Sequence, residues 1–231
     1  MATVDARAAH DHAAQTFDTL VPRGRRVVIV APHPDDEVLG MGGLMMQAQA
    51  RGRAMLLVAV TDGTASHPDS RLWHPARLAA VRPRETLHAL RELGVSPRIL
   101  RAQLPDGAVG EHRDALRRML DAVLRDSDVV VTTWQHDGHP DHEAVGAVCA
   151  AAAHRCGARS VEVPIWGCRR LAHHTGRPVH LPLDSALLAR KRRAVRAFVS
   201  QLMRDATTGQ APILPAAAFH YWLRPFEVYL P

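Results

Sequence analysis

Histidine and aspartate side chains occur together in two segments that lie far apart in the chain. The first segment is Ala31-Pro32-His33-Pro34-Asp35-Asp36-Glu37, and the second is Gly138-His139-Pro140-Asp141-His142. Imidazole nitrogens and carboxylate oxygens, with no cysteine nearby, are ligands that zinc and other divalent first-row metals take in catalytic sites. The two segments therefore indicate one metal site whose ligands come from both.

Each segment follows an apolar run that is typical of a buried parallel strand, at residues 27–30 and 128–133. The carboxyl ends of parallel strands share one edge of the sheet, where α/β proteins build ligand sites. A single His-Pro-Asp string is weak evidence, since His67-Pro68-Asp69 occurs in this chain with no apolar strand directly before it. Two such loops after two predicted strands favour a metal site.

Six of the seven acidic and histidine positions in the two segments divide into metal ligands and groups that stay free for chemistry. Asp35 would accept a proton from the attacking water. His139 would stabilise the oxyanion or protonate the leaving group, and Asp141 would orient and charge that imidazole. The ligand set would be supplied by three side chains from the two loops: His33, Asp36 and His142.

Apolar runs typical of strands alternate with helical patterns along the chain. This order predicts an α/β fold with a mostly parallel sheet and helices on both faces. Strands are expected at residues 27–30, 54–60, 99–100, 128–133 and 161–166, with an edge strand at 226–230. Helices are expected at residues 38–50 and 83–93, around 116–124, from the second segment to about 155, and from 185 to about 202.

The length of 231 residues suits one large domain. We expect an N-terminal arm at residues 1–22, either frayed or a short helix, and a single domain at residues 23–231. Residues 64–76 form a polar insertion that we expect at the rim of the site, without metal ligands. No apolar run approaches the ~20 residues of a membrane span, and no secretory signal pattern begins the sequence. A cytoplasmic protein is the expectation.

The formal net charge of +6 raises the alternative of a basic nucleic-acid-binding module. Lys191 is the only lysine, and the arginines are spread along the chain instead of forming the clustered stripe that such a module shows. Affinity that falls steeply with salt, without a metal requirement, would identify that class. Three cysteines, Cys149, Cys156 and Cys168, have no C-x-x-C spacing and are expected to be small core residues.

The two segments together resemble the paired signatures of the LmbE-like, or PIG-L, family of zinc-dependent N-deacetylases. Similarity extends from about residue 25 over most of the chain. Further matches are Thr61-Asp62-Gly63, Arg82-x-x-Glu85, Leu104-Pro105-Asp106-Gly107 and Lys191-x-x-Ala194. The resemblance implies a Rossmann-like fold and hydrolysis of an acetamide on an N-acetylglucosamine-type sugar or glycoconjugate, with release of acetate.

Carried over by position, the resemblance implies that Zn²⁺, or another divalent first-row metal, is bound by His33, Asp36 and His142. It implies that Asp35 is the general base and that His139 faces the tetrahedral intermediate. Arg82 and Asp106 fall where the family places sugar-contacting groups. Pro83, inside the Arg82 element, and Asp137, where some members carry tyrosine, depart from the family pattern.

Several points stay open at this stage. Asp35 and His139 are both candidates for protonating the leaving amine. The expected partner is a small amino-sugar conjugate, with no nucleic acid, and a homo-oligomer is compatible with the sequence. An amidase that acts on larger thiol-sugar conjugates is the alternative within the hydrolases. Released acetate would favour the deacetylase, and a released mercapturic acid would favour the amidase.

Overall fold

The structure is a computed structural model that describes residues 16–173 and 176–231. Its centre is a parallel sheet of five strands in the order β3-β2-β1-β4-β5. The adjacent pairing of β1 and β4 places the two His/Asp segments side by side at the carboxyl edge of the sheet. The strands are β1 Arg26–Ala31, β2 Met55–Thr61, β3 Arg98–Leu104, β4 Asp128–Thr133 and β5 Arg159–Val163.

Helices cover both faces of this sheet, as the alternation of strand and helix patterns predicts. The longer helices are α1 Asp36–Ala50, α2 Pro75–Leu93, α3 Arg113–Val123, α4 Pro140–Cys156 and α5 Ser185–Val195. Alternate residues of β1 face opposite sides, so Val27 and Ile29 pack into the core beneath α1 and α2. Val28 and Val30 pack into the core beneath α3 and α4. The predicted α/β class is confirmed.

A small antiparallel sheet, formed by β6 Val179–Pro182 and β7 Phe226–Tyr229, lies beside the main one. The strand predicted at residues 226–230 is present as β7, and it pairs with β6 in this small sheet. Among the described residues, an isolated bridge between Glu162 and Leu230 is the backbone pairing that connects the two sheets. The partner strand β6 is short and half-buried, which leaves it no long apolar run for sequence patterns to detect.

Two predicted helices have other boundaries in the structure. Helix α2 begins at Pro75 instead of Pro83, because His74 caps it through a bond from the Arg77 N–H and Pro75 occupies the first turn. The helix that was expected to run from 185 to 202 ends at Val195. A separate short helix, α6 Val199–Leu202, follows it, and α7 Phe219–Trp222 precedes β7.

The part of the predicted N-terminal arm that the structure describes packs against the domain. Residues 16–20 are helical, and Phe17, Leu20 and Val21 are fully buried in the core beneath α1. The rest of the predicted arm, residues 1–15, lies outside the described residues. None of the helices within the described ranges has both the length and the apolar character of a membrane span.

Candidate metal centre

Three donor atoms from the two loops converge at the carboxyl edge of β1 and β4. His33 Nδ1 lies 3.3 Å from Asp36 Oδ2 and 3.1 Å from His142 Nε2, and His142 Nε2 lies 3.3 Å from Asp36 Oδ2. Ligand atoms bound tetrahedrally to one zinc ion are about 3.3 Å apart. The predicted ligand set His33, Asp36 and His142 is therefore together in space, with donor types and spacing that fit a divalent metal.

The outer nitrogens of both histidines face carboxylates. His142 Nδ1 lies 2.8 Å from Asp137 Oδ2, while His33 Nε2 lies 3.1 Å from Asp106 and 3.2 Å from Asp141. A neutral imidazole carries its proton on the nitrogen that donates to such a partner. The geometry therefore assigns lone pairs to the two inner nitrogens, which is the tautomer that a metal ligand needs.

Without a metal ion, these groups strongly perturb one another. Although burial alone would lower the pKa of His142, Asp36 and Asp137 raise it to about 9. Burial also acts against the charge on His33, yet the surrounding carboxylates raise its pKa well above the usual value. Burial would raise the pKa of Asp36, but His142 and His33 hold it well below its ordinary range. Without a metal, the His33 and His142 rings therefore tend to stay protonated and positively charged. A metal would have to displace a proton from each ring to bind its nitrogen.

Asp35 lies next to the ligand set in a strained backbone conformation. Its φ of +133° is in a region that residues other than glycine rarely adopt, so the loop holds it there at a cost in free energy. The carboxylate is almost completely buried, lines a cavity and accepts a 3.1 Å hydrogen bond from Arg82. Burial raises the pKa of Asp35 to about 8, while the Arg82 guanidinium acts in the opposite direction.

His139 borders the same cavity, with its ring centroid 4.9 Å from that of His33 and 4.7 Å from that of His142. Its Nδ1 accepts the Asp141 backbone N–H at 3.3 Å, so a neutral ring carries its proton on Nε2. Burial, followed by the nearby His142 and His33, lowers the pKa of His139. The imidazole is therefore neutral near pH 7 and has one N–H to donate.

The contacts of Asp141 differ from those expected. Its carboxylate contacts the His33 ring and accepts the backbone N–H groups of Gly107 and Val109, at 2.8 and 3.1 Å. Asp141 contacts His139 through its backbone N–H. The role predicted for Asp141, to orient the His139 ring through its carboxylate, stays a prediction.

The cavity has a volume of about 310 Å³, and both residues predicted to contact the sugar line it. Arg82 is nearly fully buried and donates to the carbonyl oxygens of Gly63 and Pro34 as well as to Asp35. Its Nε has no partner among the described residues. Asp106 accepts the Ala65 N–H at 2.7 Å and contacts His33. Both residues thus have partners within the site.

The insertion at residues 64–76 contributes to the site as a rim. Ala65 and Ser66 line the cavity, and Ser66 Oγ lies 2.9 Å from His67 Nδ1. His67 is buried and packs near Trp73, away from the ligand set. The second His-Pro-Asp string is absent from the groups of described residues that are spaced to hold a metal ion.

Two other groupings of donor atoms are close enough to hold a metal, and both include His33. One is His33, His139 and His142, and the other is His33, Asp106 and Asp141. In the second grouping both carboxylates already accept backbone N–H groups, which makes them partners of His33 more than vacant ligands. These alternatives can be separated by variants of Asp36, His139 and Asp106.

Asp137 is a residue of the site that the sequence analysis noted only as a departure from the family pattern. It contacts His142 and accepts the backbone N–H groups of Ile165, Trp166 and Gly167, at 2.8 to 3.1 Å. The signal that could have identified it is an aspartate five residues before a ligand histidine. Its other partners follow β5 and give no local pattern.

A parallel sheet whose carboxyl edge brings two histidines and a carboxylate to metal-ligand spacing, with a further buried carboxylate and a cavity beside them, is typical of metal-dependent hydrolases. The chain belongs to the PIG-L family, whose family model, described as GlcNAc-PI de-N-acetylase, matches residues 28–153. The matched range includes the three predicted metal ligands and nearly all of β1 and β4, the strands that precede the two His/Asp segments. The resemblance inferred from the sequence is confirmed.

The relatives found by sequence are deacetylases. A diacetylchitobiose deacetylase of Thermococcus kodakarensis is 24% identical over 209 residues, which cover 85% of this chain and 78% of the relative. A 1D-myo-inositol 2-acetamido-2-deoxy-alpha-D-glucopyranoside deacetylase of Rhodococcus jostii is 31% identical over 159 residues, covering 58% of this chain. The match spans about half of that relative, 54% of its length.

Solved structures confirm the fold. The N,N'-diacetylchitobiose deacetylase of Pyrococcus horikoshii, solved with an inhibitor, superposes with a TM-score of 0.60. The match covers 97% of this chain and 87% of the other, at 23% sequence identity. Similarity at that identity establishes the LmbE-like architecture and leaves the reaction to be argued from the site.

Proposed function

We propose that the protein is a zinc-dependent N-deacetylase that hydrolyses the acetamide of an N-acetylglucosamine-type sugar or glycoconjugate, releasing acetate and the free amine. The observation that carries the proposal is the convergence of His33 Nδ1, Asp36 Oδ2 and His142 Nε2 beside the buried carboxylate of Asp35. The names of the relatives support the substrate class. A cytoplasmic location and a small-molecule amino-sugar conjugate as substrate complete the proposal.

His33, Asp36 and His142 would hold the metal, since two imidazoles and one carboxylate suit zinc and leave a position open. Bound there, zinc would supply the Lewis acidity that polarises the acetamide carbonyl and acidifies water. Asp137, Asp106 and Asp141 keep the two imidazoles in the required tautomer and orientation. A site with these supporting carboxylates holds its ligands before the metal arrives.

Asp35 takes a proton from the attacking water. A carboxylate whose pKa lies near the working pH is suited to accept a proton and to return it. Burial moves the pKa of Asp35 in that direction, and Arg82 favours the ionised form that a base requires. Arg82 therefore positions Asp35, whatever contact it makes with the sugar.

His139 donates a hydrogen bond from its Nε2–H to the oxygen that becomes negatively charged in the tetrahedral intermediate. A neutral imidazole does this by hydrogen bonding, and the lowered pKa of His139 favours the neutral form. Collapse of the intermediate expels the amine, which receives a proton from Asp35 or His139. Asp106 and Arg82 stay the proposed sugar contacts, because both line the cavity.

The proposal is tested by following amine and acetate release from a panel of N-acetyl sugars, with metal-stripped protein and after addition of one equivalent of Zn²⁺. We expect both products to appear in equal amounts, and only with metal. Product analysis on thiol-sugar conjugates separates the amidase alternative, which would release a mercapturic acid. No amine from any N-acetylglucosaminide in the presence of zinc would contradict the proposal.

A further inference from the structure

Trp166 is a large apolar side chain that remains 39% exposed at the edge of the cavity next to the metal centre. It also lines a second cavity, of about 220 Å³. The segment that closes the first cavity with Ile213 and Leu214 continues directly into the wall of the second with Pro215 and Ala217. The two cavities therefore lie next to each other and share the Trp166 ring.

The second cavity differs from the first in chemistry. Among the described residues, its lining contains aromatic and aliphatic side chains, including Trp222, Tyr221, Ile165 and Pro215, and no charged residue. A polar ligand would lose hydrogen bonds to water there without replacing them, whereas an apolar ligand gains from burial. A cavity of ~150 Å³ accepts a benzene-sized group, so 220 Å³ is sufficient for one.

The Trp166 ring is held in place by its surroundings. It packs edge-on against Trp222, with centroids 5.1 Å apart, and Trp222 Nε1 donates to the Ile165 carbonyl at 2.9 Å. The Trp166 backbone N–H donates to Asp137, the carboxylate that also contacts the ligand His142. An aromatic surface that is ordered before binding costs little entropy when a ligand arrives. Its position relative to the metal centre is fixed through Asp137.

We propose that this second cavity is a binding subsite for an apolar, aryl-sized aglycone attached to the sugar whose acetamide occupies the first cavity. The proposal rests on the deacetylase function and narrows its substrate class to glycoconjugates with a flat, uncharged substituent. Trp166 stacks on that substituent, and Pro215, Ala217 and Ala218 form another part of the wall.

The experiment compares phenyl and methyl N-acetyl-β-D-glucosaminides by amine release from the zinc-loaded enzyme. Filling an apolar pocket with one group is worth about 10-fold or more in kcat/KM. We expect the phenyl glycoside to exceed the methyl glycoside by that factor. The gain should appear in KM with kcat nearly unchanged, because the aglycone is bound equally in ground and transition states. Equal kcat/KM values would overturn the proposal.

Variants test whether this cavity is responsible. Ala217→Phe fills the second cavity and should remove the phenyl preference while leaving the methyl glycoside unaffected. Ala216→Phe is the matched control, since Ala216 is exposed in the same turn and does not line the cavity. Trp166→Ala should weaken phenyl binding, and Trp166→Phe should restore most of it. A phenyl preference that survives in Ala217→Phe would overturn the assignment.

N,N'-diacetylchitobiose provides a further arm. If the second sugar ring of this substrate raises kcat/KM and a phenyl group does not, the occupant of the second cavity is polar. The subsite proposal then fails, while the deacetylase function stands. If no glycoside is hydrolysed, calorimetric titration of the zinc-loaded protein with the phenyl and methyl glycosides measures the same contrast without turnover. About 10-fold tighter phenyl binding would then support the subsite although the proposed reaction had failed.

Discussion

Helix α1 contacts two groups of buried charged side chains, one near its N-terminus and one in its middle. The middle group, which we call the Glu227 cluster, consists of Glu227, Lys191 and Tyr229. Both Glu227 carboxylate oxygens are fully used: Oε1 accepts Lys191 Nζ at 2.6 Å and the Gly43 N–H, and Oε2 accepts the Tyr229 hydroxyl and the Leu44 N–H. No side-chain atom of this cluster is among the buried unpaired ones.

The group near the N-terminus of α1, the metal centre, is arranged differently. Its three inner donor atoms point towards one another at 3.1 to 3.3 Å, and two of the three residues, His33 and Asp36, line an open cavity. Arg82 Nε, beside Asp35, is buried without a partner among the described residues. When both rings are neutral the three inner atoms are all acceptors, and their convergence fits a shared cation, whereas the Glu227 cluster contains its own cation in Lys191.

The difference indicates that buried charge by itself does not mark a functional site. In the Glu227 cluster each charge is neutralised inside the protein, and Gly43 has no room for a side chain because Leu183 and Glu227 occupy the space. In the candidate metal centre we propose that an ion from solution completes the geometry. We therefore expect substitutions in the Glu227 cluster to lower stability and substitutions in the candidate metal centre to lower activity.

The largest expected effect is on activity, from Asp35→Asn. The amide cannot accept the water proton, so kcat/KM should fall by about 10²–10⁴-fold, the usual contribution of a general base. Zinc content should stay close to wild type, because Asp35 is not in the predicted ligand set. Asp114→Asn, at an exposed position of α3, is the control and should keep full activity. A near wild-type kcat/KM for Asp35→Asn would show that Asp35 is not the general base.

Lys191→Met should produce the largest loss of stability. It leaves the Glu227 carboxylate buried and uncompensated, which typically costs about 3–5 kcal/mol of unfolding free energy. Chemical denaturation should show this loss, with kcat unchanged in the folded fraction. The double variant Lys191→Met/Glu227→Gln should recover part of it. Arg192→Met, at the next, exposed position, should change stability by less than about 0.5 kcal/mol. A Lys191→Met protein with unchanged stability and reduced kcat would contradict the assignment of a structural role to the Glu227 cluster.

His139→Ala should lower kcat by about 10²–10³-fold, the cost of one oxyanion donor. KM and zinc content should change little, because the interaction strengthens mainly in the transition state. The matched control is His136→Ala, an exposed histidine of the same loop that does not line the cavity. An unchanged kcat across the pH range would show that His139 is only a loop residue.

A smaller effect is the pH dependence of zinc binding. In the metal-free protein the pKa of His142 is raised to about 9 and that of His33 lies well above its ordinary value, so both rings hold protons near pH 7. A zinc ligand must be neutral, and binding should release between one and two protons. Affinity should therefore rise about tenfold per released proton for each pH unit, up to about pH 9. Titration calorimetry in buffers of different ionisation enthalpy counts the protons, and a count of zero would contradict the assigned ligands.

The sequence predicted the parts of the site that follow local patterns. His33 and His142 were identifiable because each comes shortly after a continuous apolar run, and those runs are neighbouring strands in the structure. Asp137 was not assigned its role, since its partners Ile165, Trp166 and Gly167 follow another strand. A carboxylate that acts through three-dimensional contacts leaves no periodic signal.

The same limit explains the errors in the fold. The ion pair of Lys191 with Glu227 joins distant segments, and no local spacing indicated that the only lysine is buried. Helix α2 was predicted to start at Pro83 because proline favours a first turn. The helix actually begins at Pro75 with His74 as its cap, and both residues lie in a polar stretch whose composition is typical of a loop.

The central claim, that His33, Asp36 and His142 hold the metal, is tested most directly by zinc content after saturation and removal of free metal. Asp36→Ala, His139→Ala and Asp106→Asn each affect a different one of the three donor groupings. We expect close to one equivalent of zinc in the His139 and Asp106 variants and well below one in Asp36→Ala. A full equivalent in Asp36→Ala, with loss of zinc in either of the other two variants, would contradict the assigned ligand set.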